Sequence, residues 1–249
     1  MVNTPVIEVI IPALDEEGSI GRVVRGFYNR GVARVIVADN GSSDATSDAA
    51  TDAGAFVAWE PTRGYGRACL AGMAALSSAD IVVFADGDGC DDPDDLHHIT
   101  RPIAEGAADL CIGSRMSGIS EAGALPAHSR FGNRLAAMLM RLLFGQRVTD
   151  MGPFRAIRRD VLESFGMSEP NFGWNVEMQA KAALGGWRVA EVPVRYRLRM
   201  SGRSKITGNL RKSLKAGYVI ISTILRIRLT CRKHDSSAKP NGPTSADIR

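Results

Sequence analysis

Residues 81–88 read Ile-Val-Val-Phe-Ala-Asp-Gly-Asp, an apolar run that ends in two carboxylates. A short, continuous apolar run is typical of a strand that is buried on both faces. A run at 6–11, apolar apart from Glu8, stops at Pro12, and a run at 34–38 ends at Asp39; each is followed by a helical pattern. Buried strands that alternate with helices predict βαβ units and an α/β fold with a mainly parallel sheet.

The residues that directly follow these runs carry the candidate chemistry. Ligands of a parallel sheet bind beyond the carboxyl ends of its strands. At those positions the chain places three polar clusters, at 12–17, 39–44 and 86–88. Asp86 and Asp88 can face one cleft if Gly87 allows a tight bend. Carboxylate oxygens suit Mg²⁺ or Mn²⁺, and such an ion would stabilise the charge on a departing diphosphate.

Each of these features also has a plainer interpretation. Asp86 and Asp88 could form an acidic turn, because four further Asp residues follow between 91 and 95. The clusters at 12–17 and 39–44 could start helices, since Asp and Ser are favoured N-cap residues, and Ser19 is a candidate cap. The glycines of the 63–67 stretch, Arg-Gly-Tyr-Gly-Arg, allow a phosphate to approach the backbone closely.

Composition narrows the class of protein. The 249 residues are 45% hydrophobic and 23% charged, which is ordinary for a globular protein with a sizeable core. The four cysteines are widely spaced without a Cys-x-x-Cys pair, which argues against a zinc site or a disulfide framework and favours a reducing compartment. The first residues carry no signal-peptide pattern. We therefore expect a cytoplasmic protein.

The charge is distributed unevenly along the chain. Residues 192–234 hold twelve of the 31 Lys and Arg residues and no Asp or Glu, which leaves 19 basic against 27 acidic residues elsewhere. Such a basic region suggests an anionic partner, namely a membrane surface, a phosphorylated ligand or a nucleic acid. The alternative is a solvated basic face.

Within this basic region, apolar residues recur at helical spacing between 210 and 225. The apolar stretch is too short to span a bilayer, which needs about 20 residues. A basic amphipathic helix can lie on an anionic membrane, here at the inner face, or pack on the protein's own sheet. We expect a catalytic domain at 1–206, this helical segment at 207–232 and a disordered tail at 233–249.

Eight motifs carry a resemblance to a known family. They are V-I-I-P-A-L-D-E-E at 9–17, A-D-N-G-S-S-D-A-T at 38–46, R-G-Y-G-R-A at 63–68, A-D-G-D-G-C-D-D-P at 85–93, G-S-R at 113–115, D-M-G-P-F-R-A at 150–156, E-V-P-V-R-Y at 191–196 and R-M-S-G-R-S-K at 199–205. Their order and spacing resemble family 2 glycosyltransferases, and the last four resemble the dolichol- or polyprenyl-phosphate sugar synthases. The resemblance covers about residues 5–230 and implies the Rossmann-like GT-A fold.

The resemblance also implies roles for individual residues. Contacts to the nucleotide sugar donor are implied for Pro12, Asp15, Glu16, Asp39, Asn40 and Asp86, and binding of Mg²⁺ or Mn²⁺ for Asp86 and Asp88. Contacts in the acceptor-phosphate and diphosphate region are implied for Arg115, Ser129, Arg199, Arg203 and Lys205. Three positions depart from the usual pattern: Asn40 replaces a common Asp, Cys90 a Gln, and Leu125 a basic residue.

The nature of the acceptor follows from a missing residue. Family members that glycosylate a hydroxyl place an Asp directly after a Glu on the acceptor-side helix, whereas here Met178 follows Glu177. A hydroxyl needs a general base, but a phosphate oxygen is already anionic and needs positioning and charge screening. We therefore predict inverting transfer of a hexose from UDP-glucose or GDP-mannose to a polyprenyl phosphate, with Asp88, Arg199, Lys205 and Glu177 as the catalytic group.

Two alternatives come from other classes of function. The first is a family 2 transferase with a soluble or glycan acceptor. The second is a non-catalytic module that binds an anionic ligand through the basic region. Nucleic acid is not an expected partner, because Tyr196 and Tyr218 are the only aromatic residues near the charge that could stack on bases.

Overall fold

A seven-stranded sheet forms the centre of the molecule in the computed structural model, which describes residues 4–202 and 210–235. The strands are β1 (Ile7–Ala13), β2 (Arg34–Asp39), β3 (Phe56–Trp59), β4 (Ile81–Phe84), β5 (Leu110–Ser120), β6 (Arg155–Arg158) and β7 (Val189–Tyr196). Their order across the sheet is β3-β2-β1-β4-β6-β5-β7. Strands β1 to β4 pair in parallel, β6 is antiparallel to both of its neighbours, and β7 is parallel to β5. The predicted α/β fold with a mainly parallel sheet is confirmed.

Within the described residues, eight α-helices connect and cover the strands. They are α1 (Ile20–Tyr28), α2 (Thr46–Asp52), α3 (Tyr65–Ala74), α4 (Leu96–Ala104), α5 (Ala127–Phe144), α6 (Arg159–Ser164), α7 (Trp174–Leu184) and α8 (Leu210–Asp235). Successive side chains of a strand point to opposite faces, so the continuous apolar runs fill two cores. Val9 and Ile11 pack with Phe27 of α1 on one face, whereas Ile10 packs with Trp174 of α7 on the other.

The sequence patterns missed three elements and part of a fourth. Strand β6 and helices α4 and α6 were not predicted. Only the first part of β5, at 110–112, is a continuous apolar run; the strand continues to Ser120 through mostly polar residues, with a register shift against β7 between Ser114 and Ile119. Ser19 stands at the N-cap position of α1 as expected, yet its hydroxyl makes no capping hydrogen bond.

Helix α8 lies against the body of the protein. It packs beside α5 and α7, and Thr223 and Ile224 are buried in that contact. The sequence had left two positions open for the basic helix, on a membrane or on the protein itself, and the structure has the second. Among the residues that the structure describes, no helix is long and apolar enough to cross a membrane. Of the tail predicted at 233–249, residues 233–235 belong to α8 and the rest lie outside the described residues. The division into domains stays a prediction.

Candidate active site

The three polar clusters meet at one edge of the sheet. Strands β2, β1 and β4 are neighbours and run in parallel, so their carboxyl ends lie side by side. The loops after them are tied together: the Asn40 N–H donates to the Ala13 carbonyl (2.9 Å), and the Ser19 hydroxyl donates to the Gly87 carbonyl (2.9 Å). This edge is therefore the candidate active site.

The loop after β1 is held in an unusual conformation. Pro12 still belongs to β1, where it pairs with Ala38, and Asp15 has a φ of 49°. A positive φ is uncommon outside glycine and marks strain that the surroundings must hold in place. The Asp15 carboxylate accepts hydrogen bonds from the N–H (2.8 Å) and hydroxyl (3.1 Å) of Ser43, which joins this loop to the one after β2.

Asp39 and Asn40 at the end of β2 anchor two loops. The buried Asp39 carboxylate accepts from the Ser42 N–H (2.8 Å) and from the Ser47 hydroxyl. The Asn40 side chain donates to the Thr62 carbonyl (2.8 Å) and accepts from the Gly64 N–H (2.7 Å). Asn40 therefore bridges two groups with one donor and one acceptor, whereas an ionised Asp could accept but not donate.

Three carboxylates crowd together after β4. Asp86 is half-buried and its Oδ1 lies 3.4 Å from the Tyr65 hydroxyl, while its N–H donates to Asp91 (3.0 Å). Burial, followed by the charges of Asp88 and Asp91, raises the pKa of Asp86 well above its usual range. Burial, with a contribution from Asp88, raises the pKa of Asp91 to about 7. A cation at this point would relieve the repulsion.

The tight bend of this loop lies at a different glycine from the one expected. Gly89, and not Gly87, has the positive φ (78°), and a Cβ added to it would lie 2.6 Å from the Met200 sulfur. The Met200 N–H also donates to the Asp88 carbonyl (3.1 Å). The segment that follows β7 therefore packs directly on the acidic loop.

Arg199 of that segment pairs with one of these acids and with an acid of the loop after β1. Its two terminal nitrogens pair with Glu16 and with Asp88, each at 2.7 Å. The contact joins the ends of β1 and β4 to the segment after β7. The two charge-assisted bonds neutralise part of the acidic cluster.

The residues present fit a divalent metal. Asp91 Oδ1 is buried and accepts no hydrogen bond within the described part of the chain. Across residues 4–202 and 210–235, no group of three or more His, Cys, Asp or Glu side chains is arranged to hold a metal by itself. Mg²⁺ commonly takes one or two protein carboxylates and completes its shell with substrate phosphates and water. Asp86 and Asp88 match that mode of binding, in which the donor diphosphate supplies the remaining ligands.

Gly64 and Gly66 of the 63–67 stretch lie against the protein's own backbone, and the predicted approach of a phosphate stays a prediction. A Cβ on Gly66 would lie 1.8 Å from the Glu169 carbonyl oxygen, and one on Gly64 would lie 2.3 Å from that of Pro170. The close approach is therefore to the protein's own backbone at 169–170. It brings Tyr65 at the start of α3 within reach of Asp86.

Arg115 lies near the acidic loop, where its charge acts on Asp86 and Asp91, and it is already paired. Its guanidinium donates to both carboxylate oxygens of the fully buried Asp150 (2.9 and 2.7 Å), and it lies 5.1 Å from the centre of the Tyr196 ring. Although burial opposes ionisation, Arg115 holds the pKa of Asp150 below its usual value. A phosphate at Arg115 would therefore meet a cation whose orientation is fixed and whose charge is partly neutralised.

Helix α5 supports this pair from the side of Ser129. Ser129 is partly buried in the first turn of the helix, one turn before Asn133. The Asn133 side chain donates to the Thr149 carbonyl and accepts from the Met151 N–H, both at 2.8 Å. These bonds bracket Asp150 and so position Arg115 indirectly.

Glu177 has a structural task within α7. It is buried, pairs with Lys181 (2.9 Å) and accepts from the N–H groups of Ser168 and Glu169. Burial opposes its ionisation, yet these hydrogen bonds lower the pKa of Glu177. The residue therefore fixes the 168–170 segment that packs on Gly64 and Gly66, and we assign it as a positioning residue.

The structure brings four further residues to the site that the sequence had not predicted there, and it does not describe two of the predicted site residues. Tyr65, Asp91, Asp150 and Tyr196 contact predicted site residues, although all four stand in motifs quoted above. Their presence in those motifs was the available signal. Arg203 and Lys205 lie outside the described residues, so their predicted contacts stay predictions.

Comparisons with known proteins agree with this geometry. Residues 8–166 match the model of Glycosyl transferase family 2. The chain is 35% identical to an uncharacterized glycosyltransferase of Mycobacterium tuberculosis (84% of this chain, 94% of the relative). It is 32% identical to a dolichyl-phosphate hexose transferase of Haloferax volcanii (80% and 85%). Among solved structures it resembles glucosyl-3-phosphoglycerate synthase of Mycobacterium tuberculosis in complex with Mn²⁺, UDP-glucose and phosphoglyceric acid, with a TM-score of 0.73, 26% identity and coverage of 90% and 80%.

Proposed function

The chain belongs to glycosyl transferase family 2, and from this premise we propose that it transfers a hexose from a nucleoside diphosphate sugar to a polyprenyl phosphate with inversion at the sugar carbon. UDP-glucose and GDP-mannose are the proposed donors. Two features together carry the proposal. Asp86 and Asp88 form an acid pair that suits a metal-bound diphosphate, and Glu177 on the acceptor-side helix is occupied by Lys181 and by groups of residues 168 and 169.

The donor would occupy the edge formed by β1, β2 and β4. Asp39 and the loop of Asp15 and Glu16 are proposed to contact the nucleoside, beside the loop that Asn40 ties down. Asp86 and Asp88 would hold Mg²⁺ or Mn²⁺, which supplies charge stabilisation to the departing diphosphate. The solved relative that contains both Mn²⁺ and UDP-glucose supports this assignment.

The acceptor proposal rests on the chemistry of the nucleophile. The Glu177 oxygens accept from backbone N–H groups and pair with Lys181, so this carboxylate is not poised to take a proton from a hydroxyl. A phosphate oxygen needs no such base. In the proposed reaction it attacks the anomeric carbon, the bond from that carbon to the diphosphate oxygen breaks, and the nucleoside diphosphate leaves with the electron pair.

Cationic side chains would balance charge during this displacement. Arg199 can move its bond from Asp88 to the incoming diphosphate, and Arg115 is fixed by Asp150 at the acceptor side. Arg203 and Lys205 are proposed to add to this screening. The dolichyl-phosphate hexose transferase among the relatives supports a lipid phosphate as acceptor.

A soluble phosphorylated acid is the second candidate acceptor. The solved relative binds phosphoglyceric acid together with UDP-glucose, and the shared fold covers most of both chains. Both candidates present a phosphate, but only the polyprenyl phosphate requires work at a membrane. Peripheral attachment at the inner membrane face is part of the first proposal only.

The experiment compares acceptors with the full chain and Mn²⁺. Radiolabelled UDP-glucose or GDP-mannose is supplied with undecaprenyl phosphate in detergent, with the unphosphorylated polyprenol as matched control, or with 3-phosphoglyceric acid. We expect label in the organic phase only with the phosphorylated lipid. Label that stays in water with the phosphorylated acid would favour the second candidate. Equal transfer to the polyprenol would contradict the absence of a hydroxyl-activating base.

A further inference from the structure

Helix α5 carries an apolar stripe that the described part of the chain leaves uncovered. Phe131 is 71% exposed, Met138 50% and Leu142 71%. Their spacings of seven and four residues place them on one face of a helix that turns about 100° per residue. Single exposed apolar residues are normal, but an aligned set marks an interaction surface.

Helix α8 repeats this arrangement beside α5. Tyr218, Leu225 and Leu229 are exposed and have the same spacings of seven and four. They lie opposite the buried Thr223 and Ile224, which face the protein body. Because α5 and α8 pack against each other, the two sets lie on neighbouring helices. We name these six residues the paired stripes.

The charge beside the α5 stripe has one sign. Arg130, Arg134 and Arg141 are exposed, and at about 100° per residue they fall within about 40° of one another on one flank of the stripe. Residues 122–149 contain no Asp or Glu. Apolar side chains flanked by exposed arginines are the pattern of a helix that lies at an anionic lipid surface.

We propose that the paired stripes form the surface through which the protein docks on an anionic phospholipid bilayer. The apolar side chains enter the headgroup region, and the arginine flank pairs with lipid phosphates. The sequence had pointed to the basic C-terminal helix alone, whereas the structure divides the surface between α8 and α5. The inference rests on the proposed function only in what it explains, namely access to a lipid acceptor.

The position of α5 gives the docking a functional consequence. The first turn of the helix holds Ser129, and Asn133 in the next turn brackets the segment that positions Arg115. A bilayer in contact with Phe131 would therefore face the acceptor side of the cleft. A lipid phosphate could reach the site from the headgroup layer without leaving it.

A second copy of the chain fits this surface less well than a lipid surface does. It would bring a second set of the same arginines, and the 122–149 segment offers no carboxylate to meet them. Like charges that face each other across an interface weaken association. Anionic headgroups provide the complementary charge.

The test measures co-sedimentation of the full chain with vesicles of phosphatidylcholine, with and without phosphatidylglycerol, in the absence of any donor. The variant Phe131→Ser/Met138→Ser/Leu142→Ser should lower the partition coefficient on phosphatidylglycerol vesicles about tenfold or more. Arg134→Gln/Arg141→Gln should remove most of the preference for the anionic lipid. Trp59→Ser is the matched control, because Trp59 is 59% exposed on β3 at the other edge of the sheet, and its binding should equal that of the wild type.

Three results would overturn the proposal: wild-type protein that ignores anionic vesicles, a triple variant that binds as well as wild type, or light scattering that shows a dimer which the triple variant dissolves. An unchanged thermal shift with UDP and Mn²⁺ shows that the variants are folded. Transfer to detergent-dissolved polyprenyl phosphate is measured separately. If wild type binds vesicles but never glycosylates that lipid, the acceptor proposal fails and the docking surface stands.

Discussion

The two ends of the central sheet treat buried carboxylates in opposite ways. At the carboxyl end of β4, Asp86, Asp88 and Asp91 crowd together, and Arg199 pairs with Asp88. At the opposite end, the buried Asp109 stands between two arginines. The carboxyl end of the sheet leaves part of its negative charge uncompensated, whereas two arginines neutralise the carboxylate at the opposite end.

The opposite end shows what a carboxylate does when it serves the fold. Asp109 precedes β5 and accepts from the Arg188 backbone N–H (3.0 Å) and guanidinium (2.7 Å) and from Arg158 (3.1 Å). The Arg188 hydrogen bond lowers the pKa of Asp109 to about 2. One side chain thus joins the adjacent ends of β5, β6 and β7.

The difference between the two ends of the sheet indicates which of them can bind a cation. Asp86 and Asp91, whose pKa values are raised by burial and by neighbouring acids, gain from an added cation, which is the usual mark of a functional site. Acids whose pKa values are lowered by fixed partners have nothing to gain from one. The same residue type therefore distinguishes the binding end of the sheet from the structural end.

The largest expected effect comes from Asp88→Asn. Loss of this carboxylate should lower sugar transfer about a hundredfold or more, because charge on the leaving diphosphate loses its metal-mediated stabilisation. Initial rates with labelled donor and Mn²⁺ measure the effect, and circular dichroism checks the fold. Asp94→Asn is the control, since Asp94 is exposed and pairs with Arg30, and its rate should equal that of the wild type. Full activity of the Asp88 variant, or of wild type in excess EDTA, would remove the metal assignment.

A smaller effect tests whether Arg199 competes with the metal. With Arg199→Gln, Mn²⁺ alone should bind about tenfold more tightly, because Asp88 and Glu16 lose the cation that now pairs with them. UDP should bind the variant more weakly, since the diphosphate loses a partner. Electron paramagnetic resonance of free Mn²⁺, with and without UDP, measures both.

Arg197→Gln is the matched control for that experiment. Arg197 lies two residues before Arg199 and pairs with Asp92, so its replacement should leave the Mn²⁺ affinity unchanged. If Mn²⁺ bound the Arg199 variant no more tightly than it binds wild type, the ion pairs of Arg199 would be structural, and Arg199 would not occupy the position of the metal.

Much of the fold could be predicted because its strands are continuous apolar runs. Strand β4 is buried along its whole length, and such runs define a parallel sheet without other information. Strand β6 was not predicted because its four residues begin and end with arginine and so form no apolar run. Helix α4 escaped because two histidines and Pro102 interrupt its apolar spacing, although Ile99 and Ile103 are buried.

The site could be predicted only where local sequence determines it. The rule that ligands bind at strand ends identified Asp39, Asp86 and Asp88 from their immediate neighbours. It could not reveal that Arg199 reaches Asp88 or that Asp150 neutralises Arg115, because those contacts depend on how distant segments pack. The exposed stripe on α5 was also out of reach, since periodicity does not say which apolar face a neighbour covers.

The smallest expected effect lies at the structural end of the sheet. Asp109→Asn should lower the free energy of unfolding at pH 7 by about 1 kcal/mol, because the arginine partners are partly exposed and the ion pairs are screened. The folded pKa of about 2 lies below the ordinary value near 4. The stabilisation is therefore complete above pH 4 and is lost as the pH falls toward 2. Urea unfolding at pH 7 and pH 2.5 measures this difference, which should shrink at the lower pH while transfer activity at pH 7 stays unchanged. A constant difference at both pH values would mean that Asp109 stabilises the fold through packing and not through its charge.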